Sequence, residues 1–328
     1  SCAPAAPRCG PLATISSQPM SRMEHFFAPV NGIRLHCVSE GAADAPLMLF
    51  VHGFPEFWYA WKSQLEEFGK DHRAVAFDLR GHNLSDKPEG VAAYRHKPLL
   101  EDLKQLIEHL QAGKEDKSCI LVAHDWGGAI AWTFAAVYPQ YVNKLVIINA
   151  PHTVPFARAL ASDPVQQEAS NYMLLLRHAK AERVLQANNY ERLLKMFSRT
   201  ADGHCALTDD EIPLYLEAWA RPGALTCALN LYRASPLYPP TPEDPGAAAL
   251  KLDCAALTVR VPTLVIWGEA DTALGTVLLE GLEEVVPDLR IRRIAEGSHW
   301  VIHEQPREVS AAIREFLQEG NTAPAEKA

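Results

Sequence analysis

The stretch "ILVAHDWGGAI", residues 120–130, has the pattern of a buried β-strand that turns sharply into a helix. An apolar run leads to Asp125, and Gly127-Gly128 follow it. This outline matches a nucleophile elbow, in which serine is the common nucleophile and aspartate stands here instead. A carboxylate is ionised at neutral pH without a base, and it can displace a leaving group from an sp3 carbon to form an alkyl ester. The stretch therefore identifies Asp125 as a candidate nucleophile.

Further apolar strands lie on both sides of this stretch. Together with "CILVAHDWG" they alternate with helical patterns, which predicts a mainly parallel sheet with helices on both faces. The other predicted strands are "NGIRLHCVSEG" (31–41), "PLMLFVHG" (46–53), "RAVAFDLRG" (73–81), "KLVIINAP" (144–151) and "PTLVIWGEAD" (262–271). Residues at the carboxyl ends of parallel strands meet at one edge of a sheet. His52, Asp78, Asp125 and Asp271 follow strands quoted above, and His299 follows "IRRIAEGS" (291–298).

A long insertion separates the last two of these strands. The segment from 152 to 260 is too long for an ordinary crossover and contains helix-compatible stretches such as "DDEIPLYLEAWA". We expect a helical cap over the strand ends. The predicted organisation is an α/β core at 23–151 and 250–320, a cap at 152–249, a disordered extension or leader at 1–22 and a flexible tail at 321–328.

The composition excludes several classes of partner. The chain has 328 residues, a formal net charge of −9 and no run of Lys or Arg, which argues against nucleic acid and anionic membranes. No apolar run approaches the about 20 residues of a membrane span, so we expect a cytoplasmic protein. We also expect it to be a monomer or a homodimer. The seven cysteines show no CxxC pair and no zinc-ligand spacing, so we expect free thiols and neither a metal nor a cofactor.

Six motifs carry a resemblance to a known family. They are "HGFPEFWYAW" (52–61), "DLRGHNLSDKP" (78–88), "VAHDWGG" (122–128), "GALTCALNLYRASPLYPP" (223–240), "WGEAD" (267–271) and "GSHW" (297–300). Over about residues 24 to 320 the chain resembles the epoxide hydrolases of the α/β-hydrolase fold. The resemblance implies that fold, with a helical cap inserted after the sixth strand. It also implies hydrolysis of an epoxide to a vicinal diol through an ester on the nucleophilic aspartate.

The order of the candidate catalytic residues agrees with this resemblance. Asp125, Asp271 and His299 follow the nucleophile, acid, histidine order of the fold, each at a strand end. His299 would activate water for attack on the ester while Asp271 fixes its tautomer. Glu269 competes with Asp271 as the acid, and Ala123 replaces the first glycine of the usual elbow pattern.

The resemblance assigns further roles around the nucleophile. The backbone amides of Phe54 and Trp126 would form an oxyanion hole. Two cap tyrosines would donate hydrogen bonds to the epoxide oxygen: Tyr232 in "NLYR", and Tyr172 with Tyr190 and Tyr215 as alternatives. The predicted substrate pocket contains His52, Pro55, Trp126 and Trp300. His52 itself is expected to brace the loop, and an aromatic pocket favours apolar aryl or alkyl epoxides.

Two other functions stay open at the sequence level. A haloalkane dehalogenase also uses "HDWG" and an aspartyl ester, but its halide site needs a polar residue where this chain has Phe54. A ligand-binding protein without turnover could keep the fold and its cavity, although such a binder needs no nucleophile, base and acid together. A serine-type esterase is disfavoured because the elbow has no Ser, Thr or Cys.

Overall fold

A single twisted sheet organises the chain in this computed structural model, which describes residues 23–319. The strands are β1 (Glu24–Val30), β2 (Ile33–Glu40), β3 (Leu47–Val51), β4 (Arg73–Phe77), β5 (Cys119–His124), β6 (Val142–Ile148), β7 (Thr263–Gly268) and β8 (Leu289–Ile294). Their order in the sheet is β1-β2-β4-β3-β5-β6-β7-β8. Strand β2 pairs antiparallel with β1 and β4, and the other pairs of this sheet are parallel, so the predicted mainly parallel sheet is confirmed. The predicted extension at 1–22 and tail at 321–328 lie outside the described residues.

Strand β1 is an addition to the predicted sheet. It forms a hairpin with β2 through Asn31 and Gly32, whose φ angles of 48° and 75° suit a tight two-residue turn. β1 is an edge strand, where Pro29 can be accommodated although it has no amide to donate. That proline and the mixed composition of "EHFFAPV" weaken the strand pattern in the sequence.

Helices cover both faces of the sheet. The helices of residues 23–319, on these faces and beyond the strand ends, are α1 (Lys62–Phe68), α2 (His96–Leu110), α3 (Trp126–Val137), α4 (Thr153–Ser162), α5 (Pro164–Ala169), α6 (Tyr172–Arg177), α7 (Ala181–Met196), α8 (Ile212–Ala220), α9 (Ala224–Ala234), α10 (Val301–Glu304) and α11 (Pro306–Gln318). Strand β3 shows why both faces are needed, because Leu49 and Val51 join one buried core while Met48 and Phe50 join the other. The backbone of α7 leaves helical geometry between Ala187 and Tyr190.

Helices α4 to α9 all lie between β6 and β7 in the chain. They contact the carboxyl ends of the strands: the Trp219 indole donates to the Pro55 carbonyl at 2.6 Å, and the Tyr232 ring packs edge-on to Phe54 and Trp126. This position agrees with the expected helical cap, whose boundaries at 152 and 249 stay a prediction. No helix within residues 23–319 is both long and apolar enough to cross a membrane.

Candidate active site

The backbone at Asp125 is a sharp turn between β5 and α3. Asp125 has φ 52° and ψ −121°, a backbone conformation that residues other than glycine rarely adopt. The turn also needs Gly127, since a Cβ there would lie 2.2 Å from the Val51 carbonyl oxygen. A strained residue at a strand end, pointing into a cavity, is typical of a nucleophile elbow.

His299 connects the two predicted catalytic carboxylates. Its Nδ1 lies 2.7 Å from Asp271 Oδ2, and its Nε2 lies 3.5 Å from Asp125 Oδ2. All three residues follow strands, at the carboxyl ends of β5, β7 and β8. The alternative acid Glu269 is not part of this arrangement, because its carboxylate pairs with Arg293 at 2.9 Å on the surface. The structure therefore brings the predicted trio together.

The carboxylate of Asp271 is held from several sides. Oδ1 accepts hydrogen bonds from the amides of Ala273 and Leu274, at 2.8 and 2.9 Å, and Oδ2 accepts one from the Asn149 side chain at 2.9 Å. Asn149 also bonds the backbone of Gly268, so it joins β6 to β7 beside the acid. The supporting role of Asn149 was not predicted from the sequence, although its position at the end of the strand "KLVIINAP" was a signal for it.

The charges at this site shift the pKa values of His299 and Asp125. Burial alone would lower the pKa of His299, but the adjacent carboxylates of Asp271 and Asp125 raise it to about 10. Burial alone would raise the pKa of Asp125, yet its hydrogen bond and charge interaction with His299 lower it. With Asp125 free, the site therefore holds an ionised nucleophile next to a protonated imidazole.

The loop after β3 supplies a backbone donor to the nucleophile. The Phe54 amide donates to Asp125 Oδ1 at 2.7 Å, and the Phe54–Pro55 peptide bond is cis. Trp126 is the first residue of α3, where backbone amides have no partner within the helix. The Phe54 amide thus contacts the Asp125 carboxylate directly, while the Trp126 amide, the other predicted oxyanion donor, belongs to the next residue in the chain.

His52 has a structural position in this loop. Its Nδ1 donates to the Gly53 carbonyl at 2.8 Å, and its Nε2 accepts from the Leu79 amide at 3.0 Å. Burial lowers the pKa of His52, which keeps the ring neutral. His52 lines neither cavity at Asp125, and Pro55 lines a separate cavity behind the loop, whereas Trp126 and Trp300 each line one of the two.

Two tyrosines from the helical insertion face Asp125. Tyr172 and Tyr232 line both cavities that reach the nucleophile, and their ring centroids are 6.3 Å apart. Burial raises the pKa of both phenols, so both are protonated donors at neutral pH. The alternatives lie elsewhere: the Tyr190 hydroxyl donates to the Trp219 carbonyl and the Tyr215 hydroxyl to Glu56, each at 3.3 Å.

A buried charged cluster lies next to the triad. His124 Nδ1 is 3.2 Å from Glu56, and His124 Nε2 is 2.8 Å from the carbonyl oxygen of His299. His303 bonds the other carboxylate oxygen of Glu56. Burial would raise the pKa of Glu56, but His303 and His124 hold it well below its usual range. No spacing in the sequence links these three residues, so only the fold could place them together.

The cavities at Asp125 differ in their walls. The first, about 550 Å³, is largely apolar, with Trp126, Phe156, Met173 and Leu237 among its lining residues. The second, about 420 Å³, contains Asp271, His299 and Trp300. Within residues 23–319 no group of three or more His, Cys, Asp or Glu side chains is arranged to hold a metal ion.

Comparisons with known proteins identify relatives of this chain. Residues 46–306 match the model of the α/β hydrolase fold family. The chain is 37% identical to the AB hydrolase superfamily protein YfhM of Bacillus subtilis, covering 89% of this chain and 97% of that one. It is 35% identical to epoxide hydrolase 3 of Xenopus tropicalis, covering 95% and 82% respectively.

A solved structure extends the likeness to three dimensions. A point mutant of an epoxide hydrolase from Bacillus megaterium, complexed with its product (R)-3-[1]naphthyloxy-propane-1,2-diol, superposes with a TM-score of 0.79. The two chains are 37% identical, over 90% of this chain and 100% of that one. The chain belongs to the epoxide hydrolase family of the α/β-hydrolase fold.

Proposed function

We propose that the protein hydrolyses an apolar aryl or alkyl epoxide to a vicinal diol through an ester on Asp125. The observation that carries the proposal is the pair of protonated phenols, Tyr172 and Tyr232, bordering the cavities above an ionised carboxylate. Opening a strained ether ring requires a nucleophile for the carbon and an acid for the oxygen, and the carboxylate and the phenols provide these groups.

In the first step Asp125 attacks one ring carbon from the side opposite the C–O bond that breaks. The electron pair of that bond moves to the epoxide oxygen, which takes a proton from Tyr172 or Tyr232. The products are a hydroxyalkyl ester on Asp125 and a tyrosinate. Hydrogen bonds from the phenols before the transfer also stabilise the charge that develops on the oxygen.

In the second step His299 acts as the base. Esterification removes the negative charge of Asp125, one of the two carboxylates that raise the pKa of His299. That pKa then falls, and the imidazole can give its proton to the tyrosinate and take one from water. Hydroxide attacks the ester carbonyl, and the Phe54 and Trp126 amides stabilise the oxyanion. Collapse releases the diol, restores the Asp125 carboxylate and leaves the proton on His299.

The cavity walls support an apolar substrate arm. The apolar lining of the first cavity suits an aryl or alkyl group. The Bacillus megaterium relative has a naphthyloxy diol as its product. We further propose that the protein is cytoplasmic, as a monomer or homodimer, and that it needs no metal or cofactor.

Haloalkane dehalogenation is the second candidate, because it uses the same aspartyl ester. Trp126 provides one indole N–H beside the nucleophile, but Phe54 provides no side-chain donor for a departing halide. The phenols suit an alkoxide better than a halide. A ligand-binding role without turnover has no need of the His299 contacts with both carboxylates.

Oxygen labelling tests the proposed reaction. Styrene oxide is mixed with an excess of enzyme in H₂¹⁸O, and the diol from the single turnover is analysed by mass spectrometry. We expect an unlabelled diol and the heavy oxygen in the Asp125 carboxyl group, because the oxygen transferred to substrate comes from the aspartate. A labelled diol in the first turnover would overturn the covalent route. Bromide release from 1-bromobutane without diol formation would favour the dehalogenase.

A further inference from the structure

The second cavity has a basic residue in its wall. Arg199 lines it together with Asp125, Tyr172 and Asp271. Among residues 23–319, neither Lys nor Arg lines the first cavity. The two cavities that meet at the nucleophile therefore differ in charge as well as in shape.

The guanidinium of Arg199 is available for a ligand. It makes no hydrogen bond or ion pair with any of residues 23–319. Both carboxylates of the second cavity have other partners: Asp271 bonds His299, Asn149 and two amides, while Asp125 bonds Phe54 and faces His299. An anion that enters the second cavity would therefore meet an exposed guanidinium that has no protein partner among residues 23–319.

The turn that carries Arg199 is tied to the core beside His299. The Arg199 amide donates to the Met196 carbonyl at 3.2 Å, and the Trp300 indole donates to the same carbonyl at 2.7 Å. Phe197, two residues before Arg199, is buried and stacks on Trp300 with ring centroids 4.1 Å apart. The arginine thus sits on an anchored segment at the wall of the cavity.

The charge of Arg199 reaches the reacting groups. Burial raises the pKa of Tyr172, and the positive charge of Arg199 opposes that rise. Arg199 and Tyr172 line the same cavity as Asp125, so a substrate that extends from the nucleophile into this cavity can reach the guanidinium. A guanidinium binds a carboxylate with two parallel hydrogen bonds, which gives the contact both strength and direction.

We propose that Arg199 binds a carboxylate on the substrate, so that the protein prefers disubstituted epoxides with one apolar and one anionic arm. The apolar arm occupies the first cavity and the carboxylate arm occupies the second. This inference rests on the proposed epoxide hydrolysis and refines its substrate class. A spacer must separate the carboxylate from the ring, because Asp125 repels an anion placed directly beside it.

A matched substrate series tests the assignment. The probes are 3-phenyloxirane alkanoates with short, medium and long methylene spacers, together with their methyl esters and neutral styrene oxide. We expect the wild-type protein to prefer one acid over its own ester by about tenfold or more in kcat/KM. Arg199→Met should abolish that preference mainly through KM, and Arg199→Lys should retain part of it. Arg192→Met, a change at an exposed position of α7 before the turn that carries Arg199, should alter nothing.

The outcomes separate this inference from the proposed function. The role of Arg199 alone would be overturned if wild type and Arg199→Met each hydrolysed the acid and its ester at equal rates while still hydrolysing styrene oxide. If no epoxide were hydrolysed, calorimetry with the ring-free 7-phenylheptanoate and its methyl ester would decide. Binding of the acid that Arg199→Met removes would support the carboxylate site, and binding unaffected by that change, or no binding, would overturn it.

Discussion

The two walls of the active-site cavity are built differently. In the sheet wall, Asp125, Asp271 and His299 have partners fixed by backbone amides and by each other. In the helical wall, the Tyr232 ring is positioned mainly by packing against core aromatic residues. The side chain of Arg199 has no hydrogen-bond or ion-pair partner among residues 23–319. The contrast indicates that the sheet wall sets the reaction and the helical wall sets which epoxide receives it.

The largest effect is expected at the centre of the sheet wall. Asp125→Ala removes the nucleophile, and we expect kcat/KM for styrene oxide to fall by about four orders of magnitude or more. The alanine side chain is smaller, so the fold should be kept, as a thermal melt would check. Activity within tenfold of wild type would mean that water attacks the epoxide without an ester, and the contrast between the walls would lose its basis.

The buried cluster below the sheet wall should matter for stability. Glu56→Gln removes the buried carboxylate that bonds both His124 and His303, so we expect the free energy of unfolding to fall by about 3 kcal/mol. Denaturant unfolding at neutral pH measures the change. Glu296→Gln, at an exposed position, is the matched control and should stay within about 0.5 kcal/mol of wild type. Equal stability of Glu56→Gln and wild type would show that the cluster is not held by charge.

The two tyrosines of the helical wall should affect the ring-opening step and not ester hydrolysis. Tyr232→Phe and Tyr172→Phe each remove one donor to the epoxide oxygen, and we expect each to slow ester formation by about 50-fold while ester hydrolysis is little changed. Rapid-quench kinetics separates the two steps. Tyr190→Phe is the matched control, because its hydroxyl bonds a carbonyl away from the nucleophile. Slowed hydrolysis with unchanged ester formation would contradict the assigned roles.

The effect that is smallest at neutral pH concerns His82, beside the oxyanion loop, because it appears only below about pH 6.5. Burial lowers the pKa of His82 to about 3, and its Nε2 has no hydrogen-bond partner among residues 23–319. The unfolded chain takes up this proton below about pH 6.5 and the folded one does not, so stability falls as pH decreases from 6.5 to about 3.

We expect His82→Gln to remove up to about 1.4 kcal/mol per pH unit from that slope, as measured by denaturant unfolding across this range. His109→Gln, at an exposed position, is the comparison and should leave the slope unchanged. If both variants lost stability with acid as steeply as wild type, His82 would be protonated in the folded state.

The sequence predicted the sheet wall better than the helical wall for a physical reason. Parallel strands bring their carboxyl ends to one edge, so the strand-end positions of Asp125, Asp271 and His299 were enough to predict their meeting. No such rule places side chains of an inserted helical segment, and Tyr172 could not be separated from Tyr190 and Tyr215. Contacts such as Glu56 with His303, 247 residues apart, depend on the complete fold.

The central claim is that an ester forms on Asp125 and that His299 is needed to hydrolyse it. Intact-protein mass spectrometry of His299→Gln after incubation with styrene oxide tests this most directly, with peptide mapping to locate any adduct. We predict a gain equal to the whole epoxide, located on Asp125, because the variant lacks the base for the second step. Two results would contradict this mechanism. One is a folded variant that stays unmodified, and the other is an adduct elsewhere while Asp125 stays free.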